Sequence, residues 1–272
     1  MSAIKQSLKK ILPPTLIRAG GQSLDALQRA KGWPEATFHP WRRDTMRRMA
    51  ALKDSRKGER CFIIGNGPSL RETDLSKLKG EFSIGMNRIY LMYPELGFST
   101  SYYLSVNDLV VEQCAADIQA LELPRFVSWR ARRWLRPEDD LYFLYTTYTG
   151  AGFQKNAANR LWEGATVTYV AMQLAFYLGF QQVVLIGVDH NFVTQGKPNT
   201  TVVSEGDDPN HFSPSYFGKG FRWQLPDLET SELAYGMAKQ AYQTAGREII
   251  DATVGGKLRV FPRVDYNILF HG

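Results

Sequence analysis

Residues 165–188 constrain the fold more than any other stretch. Val167, Val170, Ala171, Leu174 and Leu178 recur at helical spacing, so Ala165–Leu178 reads as a buried helix. Gln182–Val188 comes next and is the most apolar strand of the chain. A strand apolar on both faces belongs at the centre of a parallel sheet covered by helices. Upstream, Arg60–Gly65, Phe82–Met86, Ser101–Val106, Arg125–Trp129 and Leu141–Tyr145 read as further short strands, and downstream Leu228–Gly246 reads as a helix before the strand Glu248–Ala252. The alternation predicts an α/β, doubly wound, mostly parallel Rossmann-like sheet with ligands at the carboxyl ends of its strands.

Charge divides the chain. Residues 1–60 hold 14 Lys or Arg against 5 Asp or Glu, whereas residues 61–272 hold 19 against 22. We therefore read residues 1–58 as a basic helical leader and 59–272 as one Rossmann-like domain. Ile4, Leu8, Ile11 and Leu12 run at helical spacing beside Lys5, Lys9 and Lys10 until Pro13-Pro14, and a second basic helix is expected from about Pro40 to Leu52. Such helices either lie on an anionic leaflet or pack on their own domain. A nucleic-acid binder carries its positive stripe on the folded body, and this body is net acidic, so no nucleic-acid partner is expected. No apolar run is long enough to span a bilayer, and no secretory signal is seen. The expectation is a cytoplasmic protein with reduced Cys61 and Cys114, peripheral at most on the inner membrane face. The tail Val260–Phe270 offers Phe261, Val264, Tyr266 and Leu269 for packing, on a neighbouring subunit of a homo-oligomer if not on its own domain.

The sharpest local signal is Gly65-Asn66-Gly67-Pro68-Ser69-Leu70 directly after the first strand. Glycines let backbone approach a phosphate, and a following helix start favours negative charge. Ser69 with Glu72 three residues on would form a capping box. A dinucleotide site needs a third glycine near Leu70, and a Walker loop needs Gly-Lys-Ser/Thr; both are missing. Asn87 ends the second strand, Asp108 follows the third, and Asp189-His190-Asn191 ends Gln182–Val188, so all fall along one rim. Asp189 binds a ribose hydroxyl or the acceptor, or caps the next turn. Thr253, after the last strand, either contacts a ligand at the same rim or turns the chain.

Residues 192–226 form a long segment rich in Gly, Pro, Asn and aromatics, read as a lid. His211 is its obvious general base or acid, and Lys219 and Arg222 are its basic candidates for a phosphate.

GNGPSL after a strand, then GMNRIY, then ATVTYVAMQLAFYLGFQQVVLIGVD, resemble the bacterial sialyltransferases of glycosyltransferase family 42 and the related MptE-like proteins, over roughly residues 60–255. The second group includes flagellin-modifying motility accessory factors and archaeal hydroxymethylpterin diphosphokinases. The resemblance implies that Asn66 and Asn87 contact a nucleotide donor, that Gly65, Asn66, Gly67, Pro68 and Ser69 lie by its phosphate, and that Thr166 and Thr168 are near it. It implies that His211, followed by Phe212, is the general base. The family places a tyrosine shortly after the GxD motif to hold the leaving phosphate. Asn191 stands there instead, with Tyr216 as a substitute from the lid.

Nucleoside diphosphate sugars are commonly held through a divalent metal on an Asp-x-Asp pair. No Asp-x-Asp occurs, and Asp139-Asp140 and Asp207-Asp208 are adjacent pairs. The absence favours a metal-independent, inverting transfer from a CMP-sugar (sialic acid, Kdo or a related nonulosonic acid) to a glycan or lipid-linked acceptor, with no cofactor required. The rival is an ATP-dependent diphosphokinase of the hydroxymethylpterin type, with magnesium on Asp108, Asp189 and Asp207 or Asp208. A third reading is a non-catalytic nucleotide- or glycan-binding subunit.

Overall fold

The computed structural model describes residues 26–27, 29–193 and 196–270. Eight strands form one sheet: β1 (Arg60–Ile64), β2 (Ser83–Met86), β3 (Tyr102–Ser105), β4 (Arg125–Ser128), β5 (Leu141–Thr147), β6 (Arg160–Trp162), β7 (Gln182–Ile186) and β10 (Glu248–Asp251). Every pairing is parallel, in the order β10-β7-β1-β2-β3-β4-β5-β6. The chain steps from β1 outward to β6, then returns through a helix to lay β7 on the other side of β1. The switch point therefore lies between β1 and β7, where doubly wound sheets open a crevice.

Alternation along each strand fills two layers. Cys61 and Ile63 of β1 join Ile84, Leu104, Val183 and Leu185 under the helix α3 (Val167–Leu178). Phe62 and Ile64 face the opposite layer with Tyr103, Val127, Val184 and Ile186. All are essentially inaccessible, each contributing about 1.5–3 kcal/mol by leaving water. Gly179, left-handed at φ 100°, ends α3, and Gly246 at φ 69° follows Ala245, the C-cap of α4 (Leu228–Thr244).

The basic helix α1 (Pro40–Leu52) packs on β5: the Phe143 N–H donates to Thr45 Oγ1 at 3.1 Å, Trp41 stacks on Phe143, and Arg48 donates to the carbonyls of Asp139 and Leu141. Arg42 is buried within this contact, where desolvation pulls its pKa down to about 10. Residues 29–38 are also helical. The expected amphipathic run from Ile4 to Leu12 lies outside the described residues. Among the described residues, no helix is long and apolar enough to cross a membrane.

The structure completes or corrects four readings. Strand β6 was not anticipated, because three residues are too few for a periodicity. Within the segment read as a lid, residues 196–226 carry regular structure: β8 (Thr201–Val203) and β9 (Arg222–Gln224) pair antiparallel, and Phe212, Phe217, Trp223 and Leu225 pack into the body. The tail also packs on its own domain, with Phe270 stacked on Phe62 and the Tyr266 hydroxyl donating to the Asp74 carbonyl. Finally, Pro68–Glu72 is a 3-10 helix without a side-chain cap from its own N-cap residue, so the Ser69–Glu72 capping box does not form.

Candidate functional site

A cavity of about 270 Å³ opens at the carboxyl ends of β1, β2, β3 and β7, beside the start of α3 and under residues 196–226. Its floor depends on two glycines. A Cβ on Gly65 would sit 2.1 Å from the Gly187 carbonyl oxygen, and one on Gly67 would sit 1.8 Å from Asp189 Oδ2. Only glycine lets β1 and β7 run out this close together.

Five non-glycine residues with positive φ are found among those described: Asp54, Asn87, Ala165, His190 and Asn199. All but Asp54 line the cavity. Left-handed backbone costs energy for most side chains and concentrates at functional sites.

Asn66 and Asn87 face the cavity from adjacent strand ends. Asn66 Nδ2 donates to the Met86 carbonyl at 3.1 Å, while its Oδ1 is buried without a hydrogen-bond partner. Asn87 Oδ1 accepts from the Ser105 hydroxyl at 3.0 Å, which leaves its Nδ2 for another acceptor. Thr166 caps α3 by accepting from the Thr168 N–H, and its hydroxyl lies 3.3 Å from that of Tyr235. Thr166, Thr168, His190 and Asn191 all line the wall.

His211 reaches the cavity from the segment above it. Its Nδ1 lies 2.7 Å from Asp208 Oδ2, and Asp208 is itself buried, accepting also from the N–H groups of Asn210 and Phe217. A carboxylate on Nδ1 fixes the tautomer and leaves Nε2 to take a proton. The segment is fastened down at several points. Phe212 N–H donates to the Asn66 carbonyl, Arg71 donates to the Phe212 carbonyl, and Arg88 donates to the carbonyls of Ser215 and Tyr216.

Other residues singled out in the sequence are occupied elsewhere. Asp189 lines the cavity and accepts from both the N–H and the hydroxyl of Ser69, at 3.1 and 2.7 Å. Gly65 and Gly67 N–H groups donate to Ile186 and Gly187 carbonyls. The amides of Gly65, Gly67 and Ser69, expected around a phosphate, are thus spent within the chain, and Asp189 takes the place of the anion at the start of the Pro68–Glu72 helix. Burial pushes the Asp189 carboxyl up, opposed by the two Ser69 bonds. Both Asp108 carboxylate oxygens accept from Arg130 Nε at 2.9 Å, and Arg130 Nη2 also donates to Glu163 Oε1. Tyr216 is fully buried and its hydroxyl accepts from the Arg88 N–H, so it does not stand in for a phosphate-binding tyrosine. Arg222 pairs with Glu112, Lys219 is exposed, and neither lines the cavity. Thr253 is buried and accepts from the Val188 N–H.

Sequence reasoning missed Asp208 as the partner of His211. The i,i+3 spacing was visible, yet adjacent Asp207 hid which carboxylate turns inward. It also missed Glu163, buried on the wall with its carboxyl pushed up by desolvation against the pull of Arg130. Among the described residues, no three His, Cys, Asp or Glu side chains come together as metal ligands. Asp108, Asp189 and Asp208 each hold another part of the chain and Asp207 is exposed, so these carboxylates do not fit the magnesium set of the diphosphokinase reading.

Fold and cavity define a Rossmann-like α/β protein with its site at the switch point of a parallel sheet. The chain belongs to the MptE-like family, whose profile, described as 6-hydroxymethylpterin diphosphokinase MptE-like, matches residues 42–195. No curated protein matches it. Among solved structures it is similar to the MAf glycosyltransferase from Magnetospirillum magneticum AMB-1, at 16% identity and a TM-score of 0.51, over 82% of this chain. The chain spans only 38% of that protein's chain, and at this identity the likeness concerns the fold.

Proposed function

We propose that the chain is a glycosyltransferase moving a sugar from a CMP-sugar to a hydroxyl acceptor. The observation that carries this reading is the Asp208–His211 pair above the Asn66 and Asn87 amides in one cavity. His211 Nε2 takes the acceptor proton as the acceptor oxygen bonds to the anomeric carbon. The bond from that carbon to the phosphate oxygen breaks, its electron pair leaves with CMP, and the configuration inverts. Asp208 keeps the Nδ1 proton in place and stabilises the imidazolium.

Two features favour this over diphosphoryl transfer. The wall, among its described residues, bears no Lys or Arg, whereas transfer from ATP needs concentrated positive charge around a triphosphate. Of the carboxylates considered for magnesium, Asp108, Asp189 and Asp208 are already engaged and Asp207 is exposed off the wall. Neutral amides suit recognition of a base and sugar. The similarity in fold to the MAf glycosyltransferase is consistent with the same class of chemistry.

The test is release of CMP from CMP-sialic acid and CMP-Kdo in EDTA, followed by NMR. Release by the wild-type protein that is abolished in His211→Ala supports the proposal. No release from either donor, together with AMP formation from ATP and magnesium, overturns it.

A further inference from the structure

We infer that His190, held by Glu232, is the cationic group that binds the leaving phosphate. The inference rests on the nucleotide-sugar reading and adds a residue that the resemblance does not supply. Breaking the sugar–phosphate bond leaves negative charge on the phosphate, and something on the wall must meet it. Among the described residues lining the cavity, His190 and His211 are the only side chains able to carry positive charge. His211 must be neutral to act as a base. The tyrosine expected after the GxD motif is replaced by Asn191, Tyr216 is sealed beneath His211, and Lys219 and Arg222 lie off the wall. Among the side chains able to carry positive charge, that leaves His190.

Its geometry suits the task. His190 follows Asp189 at the end of β7 with φ 53°, a left-handed conformation that histidine adopts at a cost. Its Nε2 lies 2.8 Å from Glu232 Oε1 on α4. Glu232 engages Nε2, which leaves Nδ1 as the ring's other hydrogen-bonding atom. The ring is mostly buried, so its position is fixed, while Glu232 is 56% exposed. The cavity thus contains two His–carboxylate pairs with opposite duties: Asp208–His211 accepts a proton, and Glu232–His190 donates a hydrogen bond to the departing oxygen.

The test compares CMP with cytidine, which lacks the phosphate, by calorimetric titration. His190→Asn tolerates the left-handed backbone but cannot become a cation. It should lose about 10- to 100-fold in CMP affinity while cytidine affinity stays unchanged. Glu232→Gln, at an exposed position that threatens no fold, should lose part of the same discrimination. Unchanged CMP affinity in both variants overturns the inference, as does an equal fall for cytidine. If the wild-type protein binds neither ligand, the CMP-sugar reading fails and the inference with it.

Discussion

The imidazole of His211 lies parallel to the ring of Tyr216, with centres 4.0 Å apart and planes 6° apart. The phenol below is fixed by the Arg88 N–H on its hydroxyl at 3.2 Å, and Arg88 is the residue after Asn87. One short stretch at the end of β2 therefore supplies both a cavity amide and the anchor beneath His211.

That relationship separates structural from chemical roles at Tyr216. Tyr216→Phe keeps the stack and strands the Arg88 N–H, a cost of about 1–3 kcal/mol. Tyr216→Ala removes the ring and should cost about 3–5 kcal/mol. Urea unfolding checks both. Turnover by the Phe variant should stay near wild type, because His211 remains where it was.

Asp208→Asn should fold and bind CMP yet lose turnover by about 10²–10⁴-fold. Asp208 Oδ1 accepts from Asn210 N–H, while Oδ2 accepts from both His211 Nδ1 and Phe217 N–H. An amide keeping the Asn210 bond turns its NH2 toward His211. The imidazole then carries its proton on Nε2 and no longer serves as a base. Steady-state kinetics beside a CMP titration distinguishes this from a binding defect.

The glycine positions make a steric prediction with an internal control. Gly65→Ala places a methyl against backbone that cannot move without separating β1 from β7, so it should fail to fold or lose several kcal/mol. Gly236, inside α4 with nothing within 4 Å of an added Cβ, should gain about 1 kcal/mol as Ala. Paired thermal melts measure both.

Asp189 predicts a pH dependence of stability. Burial raises its folded pKa, so the folded chain prefers the protonated form more than the unfolded chain does. The stability it contributes is complete below the unfolded value of about 4 and is lost as pH rises through the raised folded value. Asp189→Asn still accepts the Ser69 N–H and does not titrate. The wild-type protein should therefore lose stability relative to the variant on going upward from pH 4. Parallel urea midpoints across that range would contradict this.

Much of the fold was legible because its signals are local. Seven of the eight sheet strands announce themselves as short apolar runs, and Val170, Leu174 and Leu178 set the helical face of α3. The site was legible only as a rim: Asn66, Asn87, Thr166, His190 and His211 do meet at strand and helix ends. Which donors are free is a tertiary property. Nothing in the sequence near Ser69 shows that Asp189, 120 positions later, occupies its amide and hydroxyl. Nor does the spacing of Asp108 and Arg130 show that they close on each other.

The central claim is tested most directly by thermal stabilisation with CMP, CDP, UDP, GDP and ATP, each in EDTA and in magnesium. At 100 times its dissociation constant a ligand stabilises by about 2.7 kcal/mol, a readily visible shift. A CMP-sugar transferase should be stabilised by CMP in EDTA, and less so after Asn87→Ala. Stabilisation by ATP alone, and only with magnesium, would contradict it.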